Sequence, residues 1–173
     1  LPMALHGGLS AIDQKKVFIP ARAGELKIVA ATNVAEASIT IPDVSVVIDS
    51  CKVKEMYFVP EKQMNALITK FACQDSLRQR RGRAGRVAKG RCFRLTTIGT
   101  YNGLPPNGLP EILRTSIDGL VLQVKAMQEV RAARGEEKET AMQVLGRCPD
   151  PPTHSAVLTS ESILSKMQAI DSE

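Results

Sequence analysis

The sequence predicts an α/β fold: a parallel sheet with helices on both faces, a β-hairpin insertion, and a helical segment after it. Three observations carry this. Leu26–Ala31 and Val44–Ile48 are short apolar runs with β-branched content, and Arg91–Leu95 is a third run of strand length. Helical segments separate these runs, and apolar strands alternating with helices pack as a parallel sheet covered on both sides. Beyond a stretch rich in Gly, Pro and Asn, from Gly99 to Pro110, the apolar residues recur only at helical spacing.

The elements follow in order. Ser10 is placed to cap a helix running to about Phe18, with Asp13 at its third position and Pro20 closing it. Leu26–Ala31 then reads as a buried strand ending near Thr32. Small residues from Asn33 to Ser38 lead into Ile39–Asp43, and Val44–Ile48 is a second buried strand. Lys54–Val59 and Ala66–Phe71 pair as a hairpin within about 52–71, and Arg91–Leu95 is a third core strand. In such sheets ligands bind at the carboxyl ends of the strands, which directs attention to Thr32-Asn33 and to the helix after Asp75. The expected organisation is a domain over 1–100, a link over 101–110 and a helical region over 111–173. In that last region Ile112, Leu113, Ile117, Leu120, Val121, Val124 and Met127 form an apolar face. Arg131–Glu139 reads as a solvated link, Cys148–Pro152 as a break, and Ala156, Ile163, Leu164 and Met167 as a final helix.

Composition narrows the function. Of 173 residues 43% are hydrophobic and 24% charged, a globular balance that excludes wholesale disorder. Trp is absent, with only two Tyr and four Phe, so a surface that reads RNA by stacking bases on many aromatics is excluded. No apolar run approaches the ~18 residues that span a bilayer, so the chain reads as soluble and intracellular, nucleus and cytoplasm not being distinguished. Cys51, Cys73, Cys92 and Cys148 form no C-x-x-C pair and read as buried free thiols rather than metal ligands. The start at Leu1-Pro2-Met3 reads as a piece of a longer protein. The net charge of +5 is local: Lys70–Arg94 holds nine basic residues against Asp75, for +8, and the remainder of the chain is −3. The partner is therefore an anion held at one place.

That place is Gln79-Arg80-Arg81-Gly82-Arg83-Ala84-Gly85-Arg86. In a helix capped by Ser76 or Asp75, Gln79, Arg83 and Arg86 fall within an arc of about 60°, aiming three donors at one point. Gly82 and Gly85 each cost ~1 kcal/mol relative to Ala inside a helix, a cost a merely solvated basic helix has no reason to carry. A nucleic-acid face accounts for the arginines but not for the glycines. Guanidinium forks suit the spread charge of a transferring phosphoryl group.

These residues resemble motif VI of superfamily 2 helicases, and the leading Gln points to the DEAH/RHA branch. Ala31–Asp43 is similar to that branch's motif V, and Leu5-His6-Gly7 with Leu9-Ser10 resembles its motif IVa. Pro110–Thr115 and Asp150-Pro151-Pro152 resemble parts of the winged-helix region that follows. The sequence departs from the pattern at Ala37, where Thr is usual, at Cys51, where Gly is common, and at Gln74-Asp75, where a Lys-Ala pair is usual.

The resemblance implies the second RecA-like domain of an ATP-dependent RNA helicase, its first strand cut short, joined to a partial winged helix. By that likeness Gln79, Arg83 and Arg86 contact the ATP phosphates, Arg83 and Arg86 as arginine fingers. Phe18 stacks on the base, although read alone Phe18 is a core residue of its helix. Thr40 lies near the ribose or phosphates, Gly7, Gly8, Thr32 and Asn33 hold RNA phosphates, and the hairpin lies against RNA during strand separation. The sequence contains neither G-x-x-x-x-G-K-[ST] nor Asp-Glu-x-His. The phosphate cradle and the Mg²⁺ ligands are thus expected on a first RecA-like domain of the same polypeptide, and this chain alone is expected to be inactive. An activator protein is a further implied partner. Two alternatives stand beside this reading: a nucleic-acid-binding module without catalysis, and a helicase-like domain used for protein contacts.

Overall fold

The computed structural model describes residues 1–36, 40–86 and 89–171. Ala37, Ser38 and Ile39, which belong to the segment resembling motif V, lie outside the described residues. The chain divides into two compact units, one comprising Leu1–Lys54 and Thr69–Gly108, the other Glu55–Ile68 and Leu109–Glu173.

In the first unit, β1 (Pro2–Leu5) runs parallel to β2 (Ile28–Ala31), with Leu5 opposite Ala31. A second parallel pair joins β3 (Val46–Asp49) to β6 (Arg91–Arg94), with Asp49 opposite Arg94. Between these come α1 (Ala11–Lys15), continued by a 3-10 turn over Lys16–Phe18, and α2 (Gln74–Arg81), continued by a 3-10 turn over Gly82–Gly85; α3 (Ile98–Asn102) follows β6. Ser10 caps α1 as its sequence position predicts, its hydroxyl accepting the Asp13 N–H at 3.1 Å. The core gathers Cys51, Val53, Ala72 and Leu77, with Tyr101 and Leu104 against it.

Burial departs from the sequence expectation at two points. The sequence predicts strands buried throughout, yet side chains alternate across a strand, and only one face of β3 and β6 is turned inward, through Asp49 and the half-buried Val47, Cys92 and Arg94. On the other face Ile48 is 70% and Phe93 53% exposed. Of the cysteines, Cys51 alone is buried; the other three are intermediate. Cys51 also has a left-handed backbone, φ 59°. This is a conformation glycine adopts without strain, and this chain holds a Cys in it.

The hairpin strands are β4 (Lys52–Val59) and β5 (Met64–Phe71), joined by a 3-10 turn over Pro60–Lys62 that ends on Gln63 in the left-handed region. Their distal part, Glu55–Ile68, belongs to the second unit. There the Phe58 N–H donates to the Arg114 carbonyl at 2.7 Å, Arg114 Nη1 donates to the Met56 carbonyl at 2.6 Å, and the Ser116 N–H donates to Asn65 Oδ1 at 2.9 Å.

The rest of the second unit is α4 (Asp118–Ala133), α5 (Ala141–Leu145) and α6 (His154–Lys166). They enclose Ile117, Val121, Val124, Ala141, Leu145, Val157 and Leu164. The apolar stripe expected from sequence is too wide: Leu113, Leu120 and Met127 are exposed. The buried line is instead Ile117, Val121, Val124 and Gln128, an i, i+4, i+7, i+11 series on one helical face. Gln128 Oε1 accepts the Glu139 N–H at 3.0 Å, while its Nε2 is buried without a hydrogen-bond partner among the described residues. The expected solvated link over Arg131–Glu139 is an ion-paired turn: Arg131 reaches Glu136 at 2.8 Å and Glu139 at 3.1 Å, and Arg147 reaches Glu139 at 2.6 Å. Gly135, at φ 78°, supplies the left-handed residue that ends α4.

Candidate functional site

The basic segment is carried by α2, whose start differs from the expected one. Cys73 is the N-cap, its Sγ accepting the Ser76 N–H, rather than Ser76 or Asp75. The next two backbone donors are satisfied from a distant loop, Gln74 N–H on the Pro105 carbonyl at 2.9 Å and Asp75 N–H on Pro106 at 3.0 Å. Gln74 Nε2 donates to the Tyr101 and Leu104 carbonyls at 3.2 and 3.1 Å. The departure at Gln74-Asp75 is therefore used locally to hold the helix N-terminus, whose four leading N–H groups need partners from outside the helix.

The helix does not run on to Arg86. It tightens at Gly82 into a 3-10 turn, in which residues three apart lie one above the other, Arg83 and Arg86 among them. A Cβ added at Gly82 or Gly85 meets nothing within 4 Å, whereas one at Gly90 would lie 1.7 Å from the Ala84 carbonyl oxygen. The glycine this turn requires for its own packing is thus Gly90, which sequence reasoning passed over. Gln79 is exposed and donates to Asp75 Oδ2 at 2.8 Å. Arg83 is half-buried and Arg86 exposed, with Arg86 Nη1 donating to Thr40 Oγ1. Burial, and then the neighbouring Arg86 charge, lower the Arg83 guanidinium from its usual range, against the pull of Glu36. It remains a cation at any ordinary pH.

Beneath this turn lies an ion-pair cluster that the sequence reading missed. Arg80 Nε donates to Glu36 Oε2 at 2.9 Å, and its Nη1 to Asp49 Oδ1 at 3.1 Å and to the Lys52 carbonyl at 3.0 Å. The Arg80 side chain is 14% exposed and that of Asp49 3%. Asp49 Oδ1 also accepts the Cys51 N–H at 2.8 Å. Burial alone would lower the Arg80 guanidinium, but the Glu36 and Asp49 carboxylates outweigh it and raise it. The one signal available beforehand was Asp49 itself, an acid closing an apolar strand.

Gly7, Gly8, Thr32 and Asn33 come together by topology. β1 and β2 are parallel, so both chains leave the same end of the pair, where the Thr32 N–H donates to the Leu5 carbonyl at 3.0 Å. Gly8 N–H donates to His6 Nδ1 at 3.2 Å, and the Thr32 hydroxyl caps the turn that Asn33 begins. Phe18 is not a core residue of its helix: it is 39% exposed, and Val17 beside it takes the core position. Lys27 Nζ holds this stretch by donating to the Val17 and Ile19 carbonyls, each at 3.0 Å, while pairing with Asp43 at 2.5 Å. Burial would raise the Asp43 carboxyl; Lys27 and the Ala21 N–H together hold it below the usual carboxylate range.

The segments that meet here are those a known family shares. The description "Helicase conserved C-terminal domain" matches residues 2–88. The chain is a helicase C-terminal domain of the DEAH-box type. It is 40% identical over 172 residues to the "Putative DEAH-box ATP-dependent helicase UM11114" of Mycosarcoma maydis, covering 99% of this chain and 10% of that protein. To the ATP-dependent DNA/RNA helicase DHX36 of Homo sapiens it is 38% identical over 178 residues, covering 100% of this chain and 16% of the relative. The crystal structure of the E. coli DExH-box NTPase HrpB matches this domain with a TM-score of 0.77 and 30% identity, over 99% of this chain and 20% of that one. The parallel strands, the hairpin and the helical C-terminal part accord with that fold. Among the described residues no helix of this domain is long and apolar enough to cross a membrane.

Proposed function

We propose that this domain is the C-terminal RecA-like half of an intracellular ATP-dependent RNA helicase, spanning 1–100, with 101–110 as a link and 111–173 as a partial winged-helix region. Arg83 and Arg86 act as arginine fingers and Gln79 as a third donor to the ATP phosphates. Thr40 lies beside the phosphates or ribose, and Phe18 stacks on the base. Gly7, Gly8, Thr32 and Asn33 hold the RNA backbone. A first RecA-like domain of the same polypeptide completes the site, and an activator protein is a further partner.

The observation that carries this reading is the bond between Arg86 and Thr40, which joins two segments 46 residues apart that resemble helicase motifs VI and V. The donor set fits a phosphate: guanidinium, amide and hydroxyl groups donate to anionic oxygens. The Mg²⁺ ligands belong, on this reading, to the first domain, because this sequence contains neither G-x-x-x-x-G-K-[ST] nor Asp-Glu-x-His. When bound, ATP supplies the phosphoryl group whose transfer to water releases the free energy for moving along RNA. The part of this chain is to neutralise the charge that develops on the phosphate oxygens and to grip the RNA backbone. Planar guanidinium forks do the first, and the small-residue turns at Gly7-Gly8 and Thr32-Asn33 do the second.

In the complete helicase, Arg83→Lys or Arg86→Lys keeps the charge and loses the fork. RNA-stimulated ATP turnover is expected to fall on the order of 10³-fold, while RNA affinity without nucleotide drops only slightly. Full turnover with either Lys removes that residue from the fingers. A basic face serving RNA alone would leave turnover and the salt dependence of binding nearly unchanged.

A further inference from the structure

We infer that Arg80 is a positioning residue for the phosphate-binding arginines: clamped between Glu36 and Asp49, it sets the pose of the turn carrying Arg83, and of Arg86 just past it, against Glu36 and Thr40. This rests on the reading of Arg83 and Arg86 as phosphate ligands.

Three features of the clamp carry the inference. First, one guanidinium reaches acceptors on three separate pieces of chain: Glu36 after β2, Asp49 at the end of β3 and the Lys52 carbonyl at the start of β4. A planar fork with donors at fixed angles locates the last turn of α2 relative to all three, which a flexible ammonium does not do. Second, the same two stretches of chain are tied twice. Glu36 meets Arg80, and four residues after Glu36 Thr40 meets Arg86, six residues after Arg80. Arg83 lies between the two ties. Third, the Glu36 carboxylate that holds Arg80 also acts on Arg83 against the repulsion from Arg86, so the clamp eases, without cancelling, the cost of two cations standing close together. Stability alone is a poor reason to bury such a cluster, since an apolar replacement is often as stable; the geometry it imposes is the better reason.

The test uses the complete helicase with Arg80→Lys and Glu36→Gln, measuring RNA-stimulated kcat, KM for ATP and the thermal midpoint. A misplaced turn costs the chemical step more than ground-state binding. Each variant is therefore expected to lower kcat by roughly 10- to 100-fold with KM within a factor of about two, and the double variant to be no worse than Arg80→Lys. Glu36→Gln keeps Asp49 paired and carries the test where Arg80→Lys folds poorly. The inference is overturned if both variants retain kcat, or if the loss disappears once rates are expressed per folded molecule. Arg83→Lys and Arg86→Lys serve as controls. Should they keep full turnover, the finger reading fails and this inference with it; should they lose it while Arg80→Lys and Glu36→Gln do not, the clamp alone is refuted.

Discussion

The two units keep their order by different means. The second has an apolar interior formed by α4, α5 and α6, with ion pairs outside it, the exposed Arg147 with Glu139 and the half-buried Lys125 with Glu161. The first has a small apolar core beside a charged pair withdrawn from water, Arg80 with Asp49, and a buried Lys27 side chain that pairs with the exposed residue Asp43. Apolar packing is tolerant of the angle at which surfaces meet, while a charge pair out of water is not. The candidate phosphate and base-stacking residues stand on the charged scaffold, Arg83 and Arg86 beside the Arg80 cluster and Phe18 on the stretch that Lys27 holds. Exactness of pose is thus concentrated beside the candidate site residues, and tolerant apolar packing elsewhere.

Substitutions that strip each scaffold sharpen the contrast. Arg80→Ala leaves Asp49 buried without its cation and is expected to cost about 3–5 kcal/mol. Leu145→Ala, which empties a place in the second unit's core, is expected to cost about 2–5 kcal/mol. Urea denaturation followed separately for each unit checks both, and equal loss of both units from either change would break the distinction. Gly90→Ala comes next: the new Cβ must displace the Ala84 carbonyl, at about 1–3 kcal/mol for overpacking, with loss of turnover exceeding loss of fold.

Phe18→Ala touches no core. It should leave the melting temperature unchanged and, if base stacking is its role, weaken ATP binding by ~1–3 kcal/mol with little discrimination among bases. Unfolding with unchanged nucleotide affinity per folded molecule would return Phe18 to a packing role.

The smallest effect is one of pH. The Asp43 carboxyl is held low in the fold, so its contribution is present above the unfolded value near 4 and is lost as pH falls through the lower folded value. The melting temperature of the native chain should therefore exceed that of Asp43→Asn at neutral pH, the gap narrowing below about pH 4 and closing only once pH is under the lowered folded value. A gap that persists there would mean that Lys27 holds Asp43 by shape rather than charge.

The sequence by itself determined the local structure and the chemistry on offer. Ser10 as a cap, the hairpin between β4 and β5, and the gathering of guanidinium groups after Asp75 all follow from residue type and spacing over a few positions. What it left open were the quantities that depend on distant neighbours. Periodicity shows that a strand has two faces but not whether both are covered, so Ile48 and Phe93 were misjudged. It marks an apolar helix face but not its width, so Gln128 escaped notice while Leu120 and Met127 were overcounted. Helical spacing assumed one pitch through Arg86, and the change to a 3-10 turn at Gly82 came with Gly90 packing against Ala84. The clamp was beyond reach for the same reason. Glu36, Asp49 and Arg80 are separated by 13 and 31 residues, each is unremarkable in its own segment, and only the folding of β2, β3 and α2 onto one another brings two carboxylates to one guanidinium. Local interactions are written in neighbouring residues; a buried charge pair exists only once the tertiary fold has excluded water from around it.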